Sequence, residues 1–104
     1  MRISAKADYA VRAGIALAAP DQEGPLKGDR IAEAQGIPIR FLENILGELR
    51  HAGLVQSQRG ADGGYWLSRP AAEITVAEVI RAVDGPLATV RGERPEDLEY
   101  LGRA

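Results

Sequence analysis

GIPIRFLENILGELRHAGLVQSQRGADGGYWL, residues 36–67, decides the fold. Pro38 stands where a first helical residue belongs, with φ preset and no N–H to lose. From there Leu42, Ile45, Leu46 and Leu49 recur at i, i+3, i+4 and i+7. One face therefore packs, while Arg40, Asn44, Gly47 and His51 project on the other. The pattern predicts a helix to about Ala52, ended by Gly53. LVQSQR and GYWL then follow as short strand-like runs with partial alternation.

The step between those runs, RGADGGYWL at Arg59–Leu67, has two readings. A phosphate-cradling loop needs G-x-x-x-x-G-K-[ST] between a strand and a helix whose N-terminus faces the phosphate. The glycines run instead into aromatic strand residues, and no Lys-Ser or Lys-Thr follows. A hairpin tip needs residues that accept positive φ, and Gly60, Asp62, Gly63 and Gly64 answer that need. The turn reading prevails.

Upstream, Ser4 is a candidate N-cap, and Val11, Ile15 and Ala18 recur at helical spacing until Pro20 stops a first helix. DQEGPLKGD is a loop that leads into a short helix near Asp29 to Gln35, closed by Gly36. Downstream, Thr75 and Glu78 form a T-x-x-E capping box that Ile74 and Val79 can staple. Val76, Val79, Ile80 and Val83 stripe this fourth helix, and Gly85-Pro86 stops it. The remainder is polar, with a helix-like start at Pro95. Helix, helix, turn, helix, hairpin is the order of a winged helix-turn-helix: mainly α with a small β-hairpin. Gly36-Ile37-Pro38 serves as the turn, with Ile37 tucked between its helices.

The totals are compatible with one such domain. The chain has 104 residues, 45% hydrophobic and 27% charged, which is ordinary for a folded domain of about 100–150 residues. No apolar run reaches the roughly 20 residues that span a bilayer, and Lys6, Asp8 and Arg12 interrupt the N-terminal segment. No membrane association and a cytoplasmic location are expected. There is no cysteine, hence no disulfide framework and no thiolate for zinc or an iron–sulfur cluster. Net charge is −2, so any attraction to nucleic acid must be local. Residues 27–69 sum to +1, and residues from Glu73 onward to −3.

The motifs FLENIL, AGLVQSQRG, GGYWLSRP and ITVAEVIRAVDGP, in that order, together with MRISAKADYAVRAGIALA, resemble the Rrf2 family of bacterial transcription regulators. The resemblance covers about residues 1–90, taken as the winged helix-turn-helix domain. Residues 91–104 are taken as a linker and the possible start of a C-terminal dimerisation helix.

The resemblance implies double-stranded DNA as partner, with the third helix in the major groove and the wing on the backbone or minor groove. It implies contacts from Pro38, Arg40, Phe41, Glu43 and Asn44. Their chemistry is suitable: Arg pairs with guanine, Asn with adenine, and Glu accepts from cytosine. Phe41 lies at the edge of the apolar stripe, between core and contact. On the wing, Arg59 matches the preference of a narrow minor groove for arginine, and Gly60, Gly63 and Gly64 allow close approach of the backbone. Asp62 does not favour phosphate, and Trp66 reads as a packing contact on the wing's other face.

Many family members resemble one another in three cysteines that hold an iron–sulfur cluster after the fourth helix, and this chain has none. No metal and no cofactor are therefore expected, and Asp8, where an acidic ligand could arise, reads as structural or surface. A homodimer follows from the resemblance alone. The alternative is a winged-helix protein-interaction module without DNA binding, suggested by the acidic charge. An enzyme is not expected: one histidine, no cysteine and no spaced carboxylate pair leave no catalytic constellation.

Overall fold

The computed structural model describes residues 4–20, 24–85 and 100–102. Its elements are α1 (Ala5–Leu17), α2 (Gly28–Gln35), α3 (Ile39–His51), β1 (Val55–Gln58), β2 (Gly64–Leu67), a 3₁₀ turn (Ala71–Glu73) and α4 (Val76–Asp84). The expected order of four helices around a hairpin is borne out. Pro86, Pro95 and most of the expected 91–104 linker lie outside the described residues.

Ser4 caps α1 as expected. Its hydroxyl accepts from the Ala7 N–H at 3.0 Å, and donates to the Asp84 carboxylate at the end of α4, also at 3.0 Å. The buried face of α1 differs from the stripe expected of Val11, Ile15 and Ala18. Ala7, Ala10, Ala13, Gly14 and Leu17 are buried, whereas Ile15 is 50% exposed. Small side chains let neighbouring elements come close, Leu17 joins them in the core, and Ile15 faces away. At Gly14 a Cβ would lie 3.0 Å from Leu101 Cδ1, so the glycine lets the Leu101 side chain approach closely. Leu101 N–H donates to the Ile74 carbonyl at 3.0 Å, which lays residues 100–102 against the start of α4.

Gly36 closes α2 in the left-handed conformation, φ 64° and ψ 38°, as its position predicts. Ile37 is 4% exposed, wedged into the core as expected. Pro38 is one step earlier than expected. It is the N-cap of α3, with ψ 132°, and its carbonyl accepts the Leu42 N–H at 2.9 Å. The extended ψ lets the chain leave the turn before the helix begins; the missing N–H costs a proline nothing at this position, although its ring makes no side-chain cap hydrogen bond. Leu42, Ile45, Leu46 and Leu49 then fill the core beside Ile31, Ile74 and Ile80.

β1 and β2 pair antiparallel, from Val55 with Leu67 to Gln58 with Gly64. Leu26, in the connection between α1 and α2, adds a bridge on the outer side of β2. It donates to the Tyr65 carbonyl at 2.9 Å and accepts from the Tyr65 N–H at 2.8 Å. At the tip, Gly63 N–H returns to the Gly60 carbonyl at 3.0 Å. Positive φ falls on Gly60 (107°) and Gly64 (149°), and neither on Asp62 nor on Gly63 as expected. Gly63 is a glycine for space instead: a Cβ would run into the Gln58 carbonyl. Gly64 needs both, because a Cβ would lie 2.7 Å from the Leu26 backbone.

The capping box of α4 is present. Glu78 N–H donates to Thr75 Oγ1 at 3.0 Å, and Thr75 N–H donates to Glu78 Oε2 at 2.8 Å. Ile74 and Val79 are both in the core, as a staple requires. Arg69 adds a 2.9 Å ion pair to Glu78. Burial raises the Glu78 pKa, but the Thr75 backbone hydrogen bond and Arg69 outweigh it and hold the carboxyl below its ordinary value.

Candidate nucleic-acid interface

The side of α3 away from the core presents Pro38, Arg40, Phe41, Glu43 and Asn44, all exposed. The helix places them together because its core positions, Leu42, Ile45, Leu46 and Leu49, face inward at helical spacing and leave the other side to solvent. Asn44 Nδ2 donates to Glu48 Oε2 at 3.2 Å, one turn further along. Phe41 divides its surface between solvent and a neighbour. It is 41% exposed, and its ring meets Tyr9 edge to face, with centroids 5.4 Å apart and planes at 82°.

Tyr9 belongs to a brace between α1 and the turn. The Arg12 guanidinium lies 4.8 Å from the Tyr9 ring centroid, a cation–π distance. Arg12 Nη1 donates to the Gln35 carbonyl at 2.8 Å, and Nη2 sits 3.3 Å from Asp8. The helix that carries Arg40 and Asn44 is thus held by an aromatic contact as well as by its core, and the end of α2 ahead of its turn by a charged one. The Asp8–Arg12 pair has the local i,i+4 spacing, but nothing in the pattern of α1 signals the contacts to Gln35 and Phe41, which lie more than twenty residues away.

On the hairpin, Arg59 and Gly60 are exposed, Gly64 is half-buried and Gly63 is buried. Gly60 is the glycine that offers its backbone at the tip, whereas Gly63 and Gly64 shape the turn behind it. Asp62 is exposed. Trp66 is half-buried and, with Leu17, Pro25 and Tyr65, lines an open hollow of about 470 Å³ behind the wing. Two further cations adjoin the hairpin. Lys27 Nζ donates to the Gly60 carbonyl at 3.4 Å, and Arg50 of α3 reaches Ser57 Oγ of β1 at 3.4 Å. Lys27 sits in a sequence segment that reads only as a loop, and the fold alone brings it to the tip.

The described residues hold no group of three or more His, Cys, Asp or Glu side chains able to ligate a metal. Asp8 is engaged with Arg12, and His51 is exposed in the last turn of α3. With no cysteine in the sequence, the donor set does not fit an iron–sulfur cluster, whose irons require thiolates. No described helix is long and apolar enough to cross a membrane.

A three-residue turn between two helices, an exposed polar face on the second, and a hairpin tipped with arginine and glycine define a winged helix-turn-helix protein. The profile of the Rrf2 family, described as an iron-dependent transcriptional regulator, matches residues 3–101, and the chain belongs to that family. It is 53% identical over 102 residues to Rv1287 of Mycobacterium tuberculosis, provisionally named as an HTH-type transcriptional regulator, covering 98% of this chain and 63% of that protein. It is 47% identical over 99 residues to the HTH-type transcriptional regulator IscR of Photorhabdus laumondii, covering 95% of this chain and 60% of that one. The chain therefore spans about three fifths of the length of these relatives. The structure of the B. subtilis global cysteine regulator CymR superposes with a TM-score of 0.77 at 36% identity, over 92% of this chain and 77% of that one. IscR of T. potens gives 0.75 at 43% identity, over 85% and 64%. The family and these relatives are transcriptional regulators and not enzymes.

Proposed function

We propose that the chain is the DNA-binding part of a sequence-specific transcriptional regulator. In this reading α3 enters the major groove with Arg40, Glu43 and Asn44 against base edges, while Pro38 and Phe41 flank the contact. Arg59 and the exposed backbone at Gly60 meet the minor groove or the phosphates, with Gly63 and Gly64 holding the tip in shape. The observation that carries the reading is the pairing of one exposed polar helix face with an arginine-tipped hairpin, within a family of regulators. Two copies bind half-sites separated by about one helical turn of DNA or a multiple of it. The chain works in the cytoplasm, and its own residues, which include no thiolate, do not supply ligands for an iron–sulfur cluster.

The experiment is to select genomic DNA fragments with the purified chain, then titrate it on the selected site. Arg40→Ala and Arg59→Ala should each weaken binding, and affinity should fall with salt by about 0.9 in log–log slope per phosphate contact. Unchanged binding by both variants removes the proposed contacts. A flat salt response would favour a protein-interaction module.

A further inference from the structure

Glu48 sits one helical turn after Asn44, and a single one of its oxygens serves two partners. Asn44 Nδ2 donates to Oε2 at 3.2 Å, and Lys6 Nζ, from the first turn of α1, lies 2.6 Å from the same atom. The Lys6 and Glu48 side chains are 29% and 32% exposed, so the pair is partly sheltered. A carboxylate can only accept, which fixes which end of the Asn44 amide faces it. The amino group turns forward along the helix toward Glu48, and the carbonyl oxygen turns away. An i,i+4 contact on an exposed helix is weak by itself. Lys6 changes that, because a cation from a second helix holds the Glu48 carboxylate in place.

We propose that Lys6 and Glu48 are positioning residues for Asn44, which set its amide orientation and with it the base pair that Asn44 prefers. The inference rests on the reading of Asn44 as a base-contacting residue. With the carbonyl oxygen outward and one amide N–H still available, Asn44 matches the adenine edge, which offers an amino donor and the N7 acceptor. Released from Glu48, the side chain regains other rotamers and must be ordered on binding, so the right base loses part of its advantage over the wrong ones.

Titration of the full chain on its selected site, and on single base-pair variants of that site, tests this. Asn44→Ala first locates the relevant pair, where discrimination should collapse by roughly tenfold, as loss of a bidentate contact implies. Glu48→Ala should lower discrimination at that same pair by about threefold or more, within the range of coupling between members of one hydrogen-bond network. Ratios at other base pairs should stay as in the parent. Glu48→Gln, whose amide oxygen still accepts, should restore most of the loss, and Lys6→Met should fall between. Removing an acid near DNA strengthens binding to every sequence alike and leaves these ratios untouched, so a merely electrostatic or structural role cannot mimic the result. Full discrimination at the Asn44 pair in Glu48→Ala overturns the proposal. If Asn44→Ala changes no base preference, the contact reading of Asn44 fails and the positioning role falls with it.

Discussion

The Arg12 guanidinium donates to the Gln35 carbonyl at 2.8 Å, and so joins α1 to the last residue of α2 immediately ahead of the turn. Arg12→Met keeps an unbranched stem and removes this charged hydrogen bond, together with the guanidinium over the Tyr9 ring and the pair with Asp8. Unfolding free energy should fall by about 1–2 kcal/mol, the usual worth of such a bond at a half-buried site. The lower end is expected, because Arg12 Nε is buried without a hydrogen-bond partner among the described residues. Urea titration measures the change. Arg12→Lys should recover little, since an ammonium cannot lie flat on the ring and reach the carbonyl together.

Two glycines should respond in opposite directions. At Gly47, inside α3, a Cβ would meet nothing within 4 Å, so Gly47→Ala should stabilise the fold by about 0.5–1 kcal/mol. At Gly63 the added carbon meets the Gln58 backbone, and Gly63→Ala should cost about 1–3 kcal/mol by overpacking. Thermal unfolding of both variants decides this.

Acid should act through Glu78. Its carboxyl is held below the ordinary value, with burial opposing and Thr75 and Arg69 prevailing. A depressed folded-state pKa contributes stability above the unfolded value and loses it as pH falls through the folded one. Between about pH 5 and pH 3, the parent should therefore lose more stability than Glu78→Gln, by a small margin because the group is partly exposed and screened by solvent. Equal losses in denaturant titrations at the two pH values would deny Glu78 this role.

Lys27 should matter to affinity and not to sequence choice. It stands at the wing tip through its 3.4 Å contact with the Gly60 carbonyl. Lys27→Ala should weaken binding to all sequences about equally and lower the salt slope by about one. A change of preference at a particular base pair would place Lys27 on a base edge instead.

Much of the fold was legible because its signals are local. Leu42, Ile45, Leu46 and Leu49 declare a helix face by spacing, Gly36 marks a left-handed stop, and Thr75 with Glu78 spells its own cap. What escaped depends on distant partners. The alanines of α1 carry less apolar weight than Val11 and Ile15, yet they line the close contact. Pro38 fits the cap and the first turn almost equally well by type, and only its ψ separates them. The exposed residues of α3 were legible as a presented face. The contacts that orient them, Tyr9 to Phe41 and Lys6 to Glu48, join α1 to α3 across more than thirty residues of sequence.

The two-way bridge between Leu26 and Tyr65 also bears on self-association. A two-stranded ribbon leaves rows of free amides and carbonyls that another molecule's strand can extend. Because both outward backbone groups at Tyr65 are engaged with Leu26, the outer side of β2 is interrupted in the middle of its four residues. No incoming strand can run its length without first dislodging the α1–α2 connection. The residue that tethers the wing thereby blunts an aggregation-prone edge.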